Sequence, residues 1–205
     1  MDKTILFIDG ENFRYKVDEV LGKEGINKDQ IDFATINLKK LMGRVLKRTR
    51  LSRKLFYAAR MREHEATPEK SKELISMQRR LKTNIEKQGF TYTRAGNVRA
   101  QTVRVGGEEE LVFREKGVDV KIAVDMVSLA YRKQMDTAII CSSDSDLQPA
   151  IAELKKVQVK VVYLGFQNNP NKGLMYTADE IILFRNSEIV EAFSVSKSKP
   201  SKSAS

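Results

Sequence analysis

Four aspartates stand where their carboxylates can act together. Asp9 closes the apolar run KTILFID (3–9), Asp144 and Asp146 follow the run DTAIICS (136–142), and Asp119 lies near the start of KGVDVKIAVDMVSLAYRK (116–133). Capping a helix after a strand takes one Ser or Asp, yet the stretch CSSDSDL brings two carboxylates a residue apart. Crowded carboxylates raise one another's pKa and resist ionisation, and a divalent cation removes that cost. Mg²⁺ or Mn²⁺ takes oxygen ligands while keeping several waters, lowers the pKa of a bound water and neutralises charge developing on a phosphodiester. Asp9, Asp119, Asp144 and Asp146 as direct or water-mediated ligands therefore suit metal-assisted hydrolysis of a phosphate ester. Taken singly, each has a plain structural explanation: Asp9 as a turn acceptor, Ser145 or Asp146 as an N-cap, Asp119 as a first-turn charge favoured by the helix dipole.

Whether they meet depends on the elements that carry them. KTILFID reads as a buried strand ending at Asp9, followed by a helix over 12–21 that stops near Gly22. Leu38, Leu41, Met42, Val45 and Leu46 recur at helical spacing and predict a helix over 35–48. KLFYAAR (54–60) is a second strand; Thr67 and Pro68 open a helix running to Gln88, with Thr67 as the cap. FTYTRA (90–95) is a third strand, and two β-prone runs around Gly106 and Gly107 predict an inserted antiparallel hairpin near 97–113, an excursion from the main sheet. A helix after Gly117, a strand over 136–142, a helix over 146–157, a strand over 159–166, a short helix near 171–177, the apolar run EIILF (180–184) and a turn around 187–193 complete the pattern. Alternating strands and helices predict an α/β protein with a mostly parallel sheet covered on both faces. In such a sheet the C-terminal strand ends share one edge, where sites lie. Asp9 and Asp144 meet there if their strands are neighbours.

Composition narrows the function classes. The 205 residues carry 37 basic and 27 acidic side chains, a net charge of +10. Residues 33–62 hold ten Lys/Arg and no Asp or Glu, an electrostatic footprint suited to a phosphate-rich polymer. Lys40, Arg44, Lys47, Arg48 and Arg50, with Arg99 and Arg104 of the hairpin as one wall of a groove, are the candidate backbone-binding cations. An exposed Tyr or Phe would stack on a base. One cysteine, Cys141, and one histidine, His64, exclude an internal disulfide and a Cys/His zinc site. Cys141 reads as a small core residue, His64 as a loop residue, and Asp125 as the i+4 partner of Lys121. No apolar run of about 18 residues occurs and TILFI is too short for a signal segment, so a cytoplasmic protein is expected.

ILFIDGENF, KGVDVKIAVDMV and CSSDSDLQPAI, in this order and at this spacing, resemble the motifs of NYN-domain proteins, a branch of the PIN-like nuclease superfamily. The resemblance covers roughly residues 3–165. It implies a PIN-like three-layer α/β/α sandwich, a metal-dependent ribonuclease activity and an acidic site at the C-terminal sheet edge. The family's acidic positions fall on Asp9, Asp119, Asp144 and Asp146, with Asn12 in the first motif, where it can hold a metal water or phosphate oxygen or cap the first helix. Ser143 replaces a frequent glycine of the third motif and Leu147 a frequent aromatic. A single domain over 1–195 and a basic, Ser-rich disordered tail over 196–205 are expected.

The leading expectation is a Mg²⁺- or Mn²⁺-dependent ribonuclease with RNA, including single strands, as partner. No membrane is involved, and a homodimer is left open. The alternative is a catalytically weak nucleic-acid-binding or regulatory module on the same fold. An aspartyl-phosphate phosphotransferase is disfavoured because Phe7 stands two residues before Asp9, where that chemistry needs a second carboxylate.

Overall fold

The computed structural model describes residues 3–27, 31–63, 67–105 and 108–193, with side chains omitted at 99–103, 105 and 108–114. His64, the hairpin tip and the tail expected over 196–205 lie outside the described residues. Strand β1 (Thr4–Asp9) is buried along its whole length and runs into α1 (Gly10–Lys23). A 3₁₀ turn (Phe33–Thr35), α2 (Leu38–Val45), β2 (Arg53–Arg60) and α3 (Pro68–Lys87) follow. Next come β3 (Thr91–Val105), β4 (Glu108–Lys116), α4 (Val118–Tyr131) and β5 (Thr137–Cys141). A 3₁₀ turn (Ser145–Leu147), α5 (Gln148–Lys156), β6 (Lys160–Phe166), α6 (Lys172–Thr177), β7 (Glu180–Phe184) and α7 (Asn186–Ala192) end the described chain.

The seven strands form one sheet in the order β4-β3-β2-β1-β5-β6-β7, parallel throughout except where β4 returns antiparallel to β3. Alternate side chains of each strand face opposite sides, and two apolar layers result. Leu6, Ile8 and Phe56 face α1, α2, α3 and α7 through Phe13, Val17, Leu41, Ile85 and Ile189. Ile5, Phe7 and Tyr57 face α4, α5 and α6 through Ile122, Met126, Leu154 and Leu174. The expected three-layer α/β/α sandwich is the observed fold. Among the described residues no helix is long and apolar enough to cross a membrane.

Four local expectations are corrected. The helix expected over 35–48 is divided, because Asp32 accepts from Ala34 N at 3.0 Å to cap the 3₁₀ turn and Asn37 accepts from Lys40 N at 2.9 Å to start α2. Thr67 does not cap α3; its buried hydroxyl has no hydrogen-bond partner among the described residues. The turn expected at 187–193 is helix α7.

The expected antiparallel hairpin is present, β3 pairing with β4 from Asn97 opposite Lys116 to Val105 opposite Glu108, but its first arm is not separate from the third strand, since β3 runs unbroken for 15 residues. Its register against β2 shifts between Ala58 and Arg60, the region of Gly96 at φ +68°. A Cβ on Gly96 would strike the Lys116 carbonyl of the returning strand. The last β2–β3 pair is Arg60 with Asn97, so residues 98–105 extend past the C-terminal edge of the sheet. Eight extended residues reach ~26 Å.

Candidate metal centre

β1 and β5 are direct neighbours, with Ile8 opposite Cys141. Asp9 and the Ser142–Asp146 loop therefore leave the sheet side by side. Asp9 is 6% exposed and caps α1: its Oδ1 accepts from Asn12 N at 3.1 Å and its Oδ2 from the Ser142 hydroxyl at 3.2 Å. Ser142 Oγ in turn accepts from Asp144 N at 3.1 Å. Asn12 does not cap the helix. Its side-chain oxygen accepts from both the backbone N–H, at 3.1 Å, and the hydroxyl of Ser143, which bridges α1 to the loop after β5. The hydroxyl that Ser143 carries in place of a glycine thus has a defined partner. Asn171, at the start of α6, donates to the Ser143 carbonyl at 2.8 Å from the other side. Asn12→Ala leaves the Ser143 N–H and hydroxyl without their acceptor, and should cost about 1–3 kcal/mol. Thermal denaturation checks this; an unchanged Tm means the bridge contributes nothing.

Asp119, in the first turn of α4 behind Gly117 (φ +93°), comes over the same edge. Asp119, Asp144 and Asp146 each offer a carboxylate oxygen, and these three oxygens lie within 4.8 Å of one another. Asp9 stands outside this trio and lines the same cleft as Asp119 and Asp144. Within CSSDSDL the cap is Asp144 rather than Ser145 or Asp146, since Asp144 Oδ1 accepts from Asp146 N at 2.9 Å and so caps the 3₁₀ turn. Asp146, expected as the cap, is exposed and uncommitted to the turn. Three hard oxygen donors, two of them half-buried, fit a Mg²⁺- or Mn²⁺-sized ion that completes its shell with water. Asp125 is not part of the group; it takes Lys121 Nζ at 2.5 Å and the Tyr57 hydroxyl at 2.9 Å.

Asp9, Asp119 and Asp144 open into a 510 Å³ cleft that is also lined by Tyr15, Lys16, Glu11 and Glu115. Sequence reasoning missed Glu115, Ser142 and Asn171; only Glu115 had a local signal, its place two residues before the Gly117 that starts α4. Burial pushes the Asp9 carboxyl up to about 6 against the hydrogen bonds from Asn12 and Ser142, and Asp144 adds to the rise. Glu115 is pushed up to about 8 by burial first, then by the charges of Asp9 and Glu11. Both groups bind protons more tightly folded than unfolded, so each contributes stability that is fully present in acid and is lost as pH rises from its ordinary carboxyl value to about 6 for Asp9 and about 8 for Glu115. In EDTA the Tm of Asp9→Asn relative to wild type should rise between about pH 4 and 6, as the wild type loses the Asp9 contribution. A difference that stays constant over that range contradicts the burial assignment.

The expected basic face lies elsewhere. Lys47, Arg48 and Arg50 occupy the turn into the first residues of β2, where Ser52 N donates to the Thr4 carbonyl at 2.8 Å, at the opposite end of the sheet from Asp9. Lys40 sits on α2, whose first turn is tied to Gln88 at the end of α3 by a 2.8 Å bond from Lys39 N. Arg44 is paired with Glu191 of α7. These five do not converge with the aspartates because α2 packs at the N-terminal edge. Arg99 is on the overhanging part of β3, its side chain outside the description, and Arg104 is exposed farther along.

A family model described as the NYN domain matches residues 3–185. Over 85 residues the chain is 32% identical to an uncharacterized protein of Methanocaldococcus jannaschii. That match covers 42% of this chain and 33% of the relative, so the chain spans about a third of the relative's length. Among solved structures, a protein of unknown function from Vibrio parahaemolyticus has a TM-score of 0.59 at 15% identity, covering 89% of this chain and 93% of that one. That likeness is one of fold.

Proposed function

The chain belongs to the NYN-domain family, within the PIN-like nuclease superfamily, and from that premise we propose that it is a metal-dependent ribonuclease acting at the C-terminal sheet edge. The observation that carries this reading is the approach of the Asp119, Asp144 and Asp146 oxygens to within 4.8 Å of one another. Such a group has no structural need of itself, since the turn takes only Asp144 as its cap. Asp119, Asp144 and Asp146 would hold Mg²⁺ or Mn²⁺. When bound, the ion supplies an activated water and charge neutralisation at the phosphodiester.

The chain's own residues do the rest. Asp9 is a positioning residue: through the Ser142 hydroxyl it sets the loop that presents Asp144. Asn12 and Asn171 hold Ser143 from two sides, which fixes the same loop against recoil. Tyr15, 63% exposed at the cleft, offers a ring for a base to stack on. Lys16 sets a cation in the cleft wall, paired with Glu19 at 2.6 Å. RNA as substrate is supported by the family premise and by the +10 charge.

The test is cleavage of end-labelled single-stranded RNA and DNA of one sequence by the purified protein with Mn²⁺, Mg²⁺ or EDTA. RNA cleavage that needs the metal is expected. RNA bound but never cut overturns the nuclease reading in favour of a binding module.

A further inference from the structure

Three hollows lie in a row along the sheet edge, each sharing wall residues with the next. The acidic cleft comes first. Glu11 and Glu115 line both that cleft and a second hollow of 150 Å³ between α1, α3 and the end of β2. Met61, Gln78 and Tyr92 line both the second hollow and a third, a 330 Å³ groove bordered by Arg60, Arg62, Arg79 and Arg94. None of these four arginines has an ion-pair partner among the described residues. The row crosses the sheet in strand order, from the loop after β5 past Gly10 after β1 and Met61 after β2 to Arg94 on β3. Three strand spacings make that ~14 Å.

The middle hollow is apolar and ring-sized. Phe33, Phe56, Leu74, Met77 and Leu81 form its walls. A dry cavity of about this volume holds one six-membered ring, and methionine adapts to flat aromatic shapes. Besides Glu11 and Glu115 on the side of the acidic cleft, Arg14, Gln78 and Tyr92 are the hollow's polar side chains. Arg14 stands 5.9 Å over the Phe33 ring, and Gln78 is fixed by its 2.7 Å bond to the Ala59 carbonyl. Tyr92 is only 8% exposed, and its hydroxyl lies beside Gln78 without a hydrogen bond of normal geometry among the described residues. A buried hydroxyl left in this state is costly, and a polar atom on a base edge seated in the hollow would complete it.

The geometry points to a nucleobase pocket: the middle hollow seats one unpaired pyrimidine of a single-stranded RNA, with the adjoining backbone held by Arg60, Arg62, Arg79 and Arg94. The pocket deepens the ribonuclease reading and rests on it for the phosphate at the aspartates. A paired base cannot enter, because its edge and both faces are already occupied in the duplex. Free arginines, an apolar ring-sized pocket and an acidic centre in line match the backbone, base and scissile phosphate of one strand. No other occupant needs all three.

The test reads binding apart from cleavage. Octamers U8, C8 and A8 are titrated by fluorescence anisotropy in EDTA, and a U8 carrying one 4-thiouridine is photocrosslinked and its peptides mapped. U8 and C8 should bind at least about tenfold tighter than A8, with crosslinks in residues 58–61 and 74–78. Leu74→Trp, which fills the pocket from a half-buried position on α3, should remove that preference; Met61→Trp at the rim is the second variant should the first not fold. Arg60→Glu with Arg94→Glu should weaken all three oligomers and lower the salt slope by about 2. Crosslinks confined to other segments, or full U8 preference in a folded Leu74→Trp protein, overturn the pocket. The two failures are distinct: RNA bound in the pocket but never cut overturns only the nuclease reading, while metal-dependent cleavage indifferent to Leu74→Trp overturns only the pocket.

Discussion

Asp144→Asn is expected to lower metal-dependent RNA cleavage by at least about a hundredfold while leaving the protein folded. Asparagine keeps the side-chain oxygen that accepts from Asp146 N at 2.9 Å, and the two residues are equivalent as N-caps. The 3₁₀ turn and the Ser142 and Ser143 contacts that position it therefore survive. What is lost is one negative charge from a trio whose oxygens lie within 4.8 Å of one another. A metal's contribution to stabilising a phosphodiester transition state is several kcal/mol, and a hundredfold is about 2.7 kcal/mol. A second readout separates loss of metal from loss of fold. Mn²⁺ at about 100 times its Kd should stabilise the native wild type by about 2.7 kcal/mol, which at this chain length is a Tm rise of about 5–10 °C. In Asp144→Asn that rise should shrink, while the Tm in EDTA stays level or increases because like-charge repulsion is relieved. Equal cleavage by both proteins would place the chemistry elsewhere.

Gly10→Ala should destabilise the protein by about 2–3 kcal/mol, because the added methyl meets a neighbour on both sides. Its carbon would stand 2.5 Å from Phe56 Cε1 and 2.5 Å from the Tyr57 carbonyl oxygen. Phe56 is fully buried and the carbonyl belongs to β2, so neither can retreat cheaply. The close approach brings α1 onto β2 immediately after Asp9, where the helix N-terminus is anchored by the 3.1 Å bond from Asn12 N. The expected change is a Tm drop of about 5–10 °C together with weaker Mn²⁺ stabilisation. Gly22→Ala in the same helix is the control: nothing lies within 4 Å of its Cβ, and it should be neutral or stabilising by up to about 1 kcal/mol. If both variants melt alike, crowding at Gly10 is not what limits this position.

Much of the fold was legible because its signals are local. β1 is a run of apolar residues ended by Asp9, and α3 carries Pro68 at its start and Gly89 just beyond its end. The start of α2 differs from the expected one because side chains bond back to the chain there, Asp32 capping the 3₁₀ turn and Asn37 capping α2. FTYTRA and the first hairpin arm read as two units, whereas in the sheet they are one strand, with a register shift in the region of Gly96.

By itself, the sequence determined the order of strands and helices and the placing of Asp9, Asp119, Asp144 and Asp146 at the C-terminal sheet edge. Periodicity and strand-end residues act over a few positions and survive without knowledge of partners. Only the tertiary structure decided which carboxylates converge, that Asp144 caps while Asp146 stays uncommitted, and that Asn12 holds Ser143 across 131 positions. It also placed Arg44 against Glu191 and set Arg60, Arg62, Arg79 and Arg94 around one groove. Those outcomes depend on which strands pair and which helices cover them. Contacts between distant segments form only when burial of the two apolar layers brings the segments together, and no spacing along the chain encodes them.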